Sequence, residues 1–234
     1  MMNFESVLAF GDSTPSGCEL AVGLEDFRSR EYMTGKISIW DVDAPGKLLP
    51  YPQIVADHFG VPCYNYAMTG GSNNRSLRLL TQAVQDHPNS LVLFGYGPTN
   101  RTEFYHPEGG LGCDQDNFFQ TGPNNYDLHI NRKYLEIVRP YNNLKEIMFC
   151  VDSICKLYAT NFVHIPLFTV DNFDEVPDID NSIDWGNPRK NAEVWCIENK
   201  FSKHTFHYGI DFHKALAELI IQHLIKKEKY VKTR

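Results

Sequence analysis

The sequence predicts an α/β protein built on a parallel sheet with helices on both faces. Three observations lead there. Short apolar runs bounded by turn residues alternate with stretches of helical periodicity, the pattern of strand–helix–strand units. The run at 91–94, LVLF, is continuously apolar rather than alternating, as a strand covered on both faces requires. Polar stretches, most of them rich in glycine, follow directly on three of the strands, where a parallel sheet builds its ligand sites.

The first strand is 7–10 (VLAF), which runs into Gly11-Asp12-Ser13. Residues 51–59 (YPQIVADHF) then set Ile54, Val55, His58 and Phe59 at helical spacing and stop at Gly60, a good helix terminator. The second strand, 62–66 (PCYNY), carries a weaker apolar signal. A helix over 76–84 follows through Leu77, Leu80 and Val84, and the third strand is LVLF itself. Residues 144–158 hold a long apolar stripe of Leu144, Ile147, Met148, Val151, Ile154, Cys155 and Tyr158. The fourth strand is 162–167 (FVHIPL), and 212–225 reads as a closing amphipathic helix through Leu216, Leu219, Ile220 and Leu224. Two stretches, 101–131 and 169–203, fit neither period. Both are rich in Asn, Asp, Gly and Pro and interleave aromatics, among them Phe104, Tyr105, Phe118, Phe119, Trp185 and Trp195. Segments of this kind are functional loops or insertions, and if ordered they would wall a pocket.

Composition narrows the function classes. No linker, repeat or charge block divides the 234 residues, so 1–234 reads as one domain with long insertions near 101–131 and 169–203. With 42% apolar and 22% charged residues the chain reads as a soluble globule. Its apolar runs are too short for a bilayer. The start, MMNFESVLAF, has no basic region followed by an apolar stretch and cleavage site, so a cytoplasmic place and no membrane partner are expected. A net charge of −7 argues against nucleic acid as a partner. The one basic cluster (Lys226, Lys227, Lys229, Lys232, Arg234) reads as the solvated end of the last helix, where cations suit the dipole. The six cysteines show no paired or ligand spacing and are expected as reduced thiols. Glu103, His106, His129 and His164 make no metal-ligand spacing, so neither metal nor cofactor is expected. Gly95-Tyr96-Gly97 lacks the third glycine of a dinucleotide turn and follows the third strand rather than the first.

A serine nucleophile needs a base within hydrogen-bond reach, and its oxyanion intermediate needs donors already in place. Ser13, Gly70, Asn100 and His207 offer such groups from four separate loops. In this order the four blocks resemble the SGNH, or GDSL-type, hydrolases. GDSTPSG carries the family's Gly-Asp-Ser with a glycine four residues after the serine, and NYAMTGGSNNR keeps Asn65 and Gly70 at the family's spacing, with Ala67 where a glycine is common. The resemblance implies a flavodoxin-like three-layer α/β/α fold with a central parallel sheet. It implies Ser13 as nucleophile and first oxyanion donor through its own N–H, Gly70 and Asn100 as further oxyanion donors, and His207 as base. It also implies an ester hydrolase acting on small-acyl esters, for example O-acetylated carbohydrates, through an acyl-serine intermediate. The partner is then a small-molecule or glycan ester.

Two blocks depart from the family pattern. Gly97 occupies the place of the oxyanion asparagine, and Asn100 comes three residues later. Gly95-Tyr96 with Arg101 and Glu103 is similar to a variant of this block in phage members, which would also admit a virion-associated location. In the last block His213 takes the helix position, and His204 stands where the triad aspartate belongs. Histidine cannot hold the catalytic imidazole as a carboxylate does, so the acid partner stays open among Asp211, His204 and a carboxylate from 171–184. These departures motivate an alternative: a catalytically impaired relative whose pocket binds a glycan or a protein. The sequence carries no signal of oligomeric state.

Overall fold

The structure, a computed structural model, describes residues 4–17, 20, 49–68, 70–97, 102–105, 118–121, 144–167, 180–186, 192–201, 203–204 and 207–232; at 102–105, 118–121, 193, 203–204, 207–208 and 228–232 it describes the backbone alone. The central sheet holds four strands, β1 (Ser6–Phe10), β2 (Cys63–Asn65), β3 (Ser90–Tyr96) and β6 (Asn161–Pro166), all parallel and ordered β2-β1-β3-β6. Counted along the sheet this is 2-1-3-4, the order of the first four strands in the flavodoxin-like arrangement. β1 and β3 are buried at every position, because the sheet is covered on both faces. β2 is a three-residue edge strand, half-buried to exposed, which is why its apolar signal is weak.

One face packs against α2 (Tyr51–Phe59), α5 (Ala192–Asn199) and α6 (Ile210–Lys232). Its core joins Val7, Leu91, Leu93, Val163 and Ile165 of the sheet to Val55, Cys196, Phe212, Leu216 and Ile220. The other face packs against α3 (Asn73–Asp86) and α4 (Leu144–Leu157), with Leu8, Phe10, Val92, Phe94 and Phe162 meeting Leu80, Val84, Met148 and Val151. This alternation places residues of one strand in two cores, as the two-residue period demands.

The expected helix over 51–59 has those bounds and ends on Gly60 in the left-handed conformation at φ 69°. α3 starts three residues earlier than its apolar period, on a Ser72 cap that accepts from Arg75 N at 3.2 Å. Ser72→Ala is expected to cost about 1 kcal/mol by removing this cap, read as a fall of roughly 2–4 °C in the melting midpoint.

The two stretches without a clear period contain regular structure. In the first, β4 (Thr102–Tyr105) and β5 (Phe118–Thr121) form an antiparallel pair. In the second, α5 forms, and residues 181–183 line the outer edge of β6: His164 N donates to Asn181 O at 2.9 Å and Ile183 N to His164 O at 3.0 Å. The tryptophans expected to wall a pocket serve the core instead. Trp185 is buried, and Trp195 packs 5.3 Å from it and 4.9 Å from Phe201, ring centre to ring centre. In the basic tail Lys226 is exposed as expected, and one residue is corrected. Lys227 is half-buried and donates to Asn181 Oδ1, so it ties the last helix to the segment along β6 rather than lying in solvent.

Among the described helices none is long and apolar enough to cross a membrane. Cys63, Cys150, Cys155 and Cys196 are free thiols; Cys18 and Cys113 lie outside the described residues.

Candidate active site

The carboxyl ends of β1, β2 and β3 converge on one edge of the sheet. In a 2-1-3-4 order the switch point falls between β1 and β3, and ligands bind in the crevice there. Ser13 stands at that point. β1 ends at Phe10, Gly11 turns the chain at φ 142°, and Asp12 caps the short helix α1 (Ser13–Ser16) by accepting from Thr14 N at 3.2 Å. Asp12 before Ser-Thr-Pro is a helix-start signal, and it explains why the strand breaks into a turn at this place. Asp12 and Ser13 are 1% and 2% exposed, so the turn is part of the packed interior rather than a solvent loop. Ser16 Oγ closes it by donating to Ser13 O at 2.6 Å.

The loop after β2 is bound to this turn. Met68 N donates to Gly11 O at 3.2 Å, and the Asn65 side chain donates to Pro15 O at 2.8 Å while accepting from Ala67 N at 3.1 Å. Arg75, almost fully buried, donates to Tyr66 O at 2.7 Å and anchors the same loop to α3. Gly70 is half-buried with φ 76°, and no described atom lies within 4 Å of where its Cβ would be.

The loop after β3 begins at Gly97, whose missing side chain has a physical cause. A Cβ there would lie 3.2 Å from Asp12 Oδ2 and 3.3 Å from its Cβ and Cγ. The Cβ of the asparagine that the family resemblance expects would crowd the Asp12 side chain, which would have to give by a few tenths of an ångström. Asn73 holds Gly97 in place, accepting from its N–H at 2.9 Å and donating to its carbonyl at 3.1 Å.

Beneath the turn, the Tyr51 hydroxyl would meet a Gly95 Cβ at 3.1 Å. Burial pushes this phenol well above the usual tyrosine value, and the charge of Asp12 adds to the effect. It therefore stays protonated. Burial, helped by Asp57, likewise pushes the Cys63 thiol up to about 12, and burial with Asp152 does so for Cys155. Neither thiol competes as a nucleophile, since the thiolate is the reactive form.

The structure thus brings Ser13, the loop of Gly70 and the start of the Gly97 loop together. Asn100 and Arg101 lie outside the described residues. His207 is placed by its backbone in β8 (His207–Tyr208), which pairs antiparallel with β7 (Lys203–His204) so that His204 and His207 are register partners; both side chains lie outside the described residues. Glu103 is placed by its backbone in β4, opposite Gln120. Asp211 is exposed in the first turn of α6 and accepts from Phe212 N at 3.0 Å. His213 is fully buried, and its Nδ1 accepts from Tyr51 N at 3.1 Å, so the helix position of the last block ties α6 to α2. Sequence reasoning assigns no role to Asp12 or Asn73. The first was legible as a cap, whereas a carboxamide bonded to a distant backbone leaves no pattern in the chain.

Fold and loops together define a three-layer α/β protein with a buried polar turn at the switch point of its parallel sheet. No protein-family model matches the chain, and no curated protein matches it in sequence.

Proposed function

We propose that the protein is a serine ester hydrolase of the SGNH type. The observation that carries the reading is the position of Ser13, immediately past the carboxyl end of a central strand, on a buried turn to which the Gly70 loop is hydrogen-bonded. In this reading Ser13 attacks the ester carbonyl, and His207 takes the serine proton and returns it to the leaving alcohol. The N–H groups of Ser13 and Gly70 hold the oxyanion, with the Asn100 amide as a third donor. Water then releases the acyl group from Ser13 by the same route. Small-acyl esters, such as O-acetyl groups on sugars, are the substrate class that the family resemblance implies.

If neither Asp211 nor a carboxylate from 171–184 replaces the triad acid, turnover about 10⁴-fold below that of a complete triad is expected, equivalent to roughly 5.4 kcal/mol of lost barrier lowering. A fluorophosphonate probe reads the nucleophile directly. Wild type is expected to be labelled at Ser13, located by peptide mass spectrometry, and Ser13→Ala is not. No labelling, together with p-nitrophenyl acetate turnover no faster than that of Ser13→Ala, overturns the hydrolase. The second reading, a pocket that binds a glycan or protein without turnover, is favoured by one observation: a side chain at position 97 would start in tight contact with Asp12, its Cβ 3.2 Å from Oδ2.

A further inference from the structure

Asn73 is a polar residue only 1% exposed. Its side chain makes two hydrogen bonds to one residue, accepting from Gly97 N and donating to Gly97 O, as a neighbouring strand would. Gly97 in turn backs onto Asp12, with its Cβ direction aimed at the carboxyl from 3.2 Å. Asp12 caps α1 and precedes Ser13. The contacts therefore run from Asn73 through Gly97 and Asp12 to Ser13. Asn73 also stands three residues after Gly70, at the first position of α3.

We propose that Asn73 is a positioning residue: its carboxamide holds Gly97 in place beside Asp12 and so fixes the turn of Ser13 relative to the Gly70 loop. The inference rests on the hydrolase reading for its catalytic meaning, but the brace itself does not. Without the carboxamide, the two backbone groups of Gly97 lose their partner, the glycine can withdraw from Asp12, and the capped turn gains freedom. Misplacement of a reacting group by about 1 Å costs on the order of 10²-fold in rate.

The test compares Asn73→Ala with wild type and with Gln82→Ala, an exposed change on the same helix that leaves the site alone. Amide hydrogen exchange in peptides covering 8–17 is expected to rise at least about 10-fold in Asn73→Ala, with β6 unchanged. Fluorophosphonate labelling of Ser13 is expected to slow by about 10²-fold, and kcat for p-nitrophenyl acetate to fall while KM holds. Unchanged exchange over 8–17, or labelling within twofold of wild type, overturns the proposal. If wild type is not labelled while exchange rises as expected, the hydrolase reading fails and the brace stands. Should Asn73→Ala not fold, Gly97→Ala approaches the same contact from the other side: its methyl wedges Gly97 from Asp12 with Asn73 intact and is expected to raise exchange over 8–17. No rise in that variant overturns the proposal as well.

Discussion

Replacing Gly11 by alanine is expected to destabilise the protein by about 4 kcal/mol, from backbone strain of roughly 1–3 kcal/mol and overpacking of a similar size. Gly11 has φ 142°, a conformation that residues with a Cβ rarely adopt. An added Cβ would also lie 2.6 Å from the Gly95 carbonyl oxygen and 2.6 Å from the Pro15 ring. The first contact is with the backbone of a central strand, so no side-chain rotation relieves it. For a chain of this size the melting midpoint is expected to fall by roughly 10 °C. A thermal melt followed by circular dichroism checks it. A fall of less than about 2 °C would mean that β1 and β3 part easily at their carboxyl ends, and the close packing of the site would have to be abandoned.

The second large effect concerns acid. His164 is fully buried on β6, with its Nδ1 2.6 Å from the Tyr96 hydroxyl and its ring edge-on to Phe162 at 5.3 Å. Burial pushes its pKa down to about 4; Asp152 pulls upward and Lys156 downward, both more weakly. In the unfolded chain the ring takes a proton near 6.5. Between those values the unfolded state binds more protons, so stability falls as pH drops from 6.5 towards 4 and this residue adds no further loss below that. The slope approaches 1.36 kcal/mol per pH unit, which gives a total on the order of 3 kcal/mol. His164→Gln keeps a polar partner for Tyr96 but does not titrate. Urea unfolding at pH 7 and pH 4.5 is expected to show wild type losing about 2–3 kcal/mol more than the variant. Other groups, including the half-buried His223, are common to both proteins and cancel in the difference. An equal loss in the two proteins would show that His164 is charged in the folded state.

These two residues also mark what the chain discloses about itself. β3 and α2 were legible because their physics is local: a continuous apolar run means burial on both faces, and Gly60 supplies the left-handed stop. The start of α3 was not, because its first turn is Asn73-Asn74-Arg75, polar residues of which Asn73 and Arg75 are buried by the site rather than by an apolar stripe. β4, β5 and α5 were missed for a related reason. Short strands and an eight-residue helix of low amphipathicity depend on what they pack against, and tertiary context overrides weak local preference. In the site, Gly-Asp-Ser pointed to Ser13, and block spacing pointed to the Gly70 loop beside it. The absence of a side chain at Gly97 read as a departure from a family pattern, and only the position of Asp12 gives it a steric reason.

The bond from Tyr51 N to His213 Nδ1 joins residues 162 positions apart, and the face of the sheet that it closes is covered largely by α6. On a ribosome adding about 5–20 residues per second, α2 waits roughly 10–30 s for its partner to be made. Until α6 is made, Val7, Leu91 and Leu93 have only part of their cover, from α2 and later α5, so the nascent chain presents a partly bare apolar sheet surface to the cell. Expression yield should therefore respond to chaperone supply and to growth temperature more sharply than the stability of the finished protein would imply.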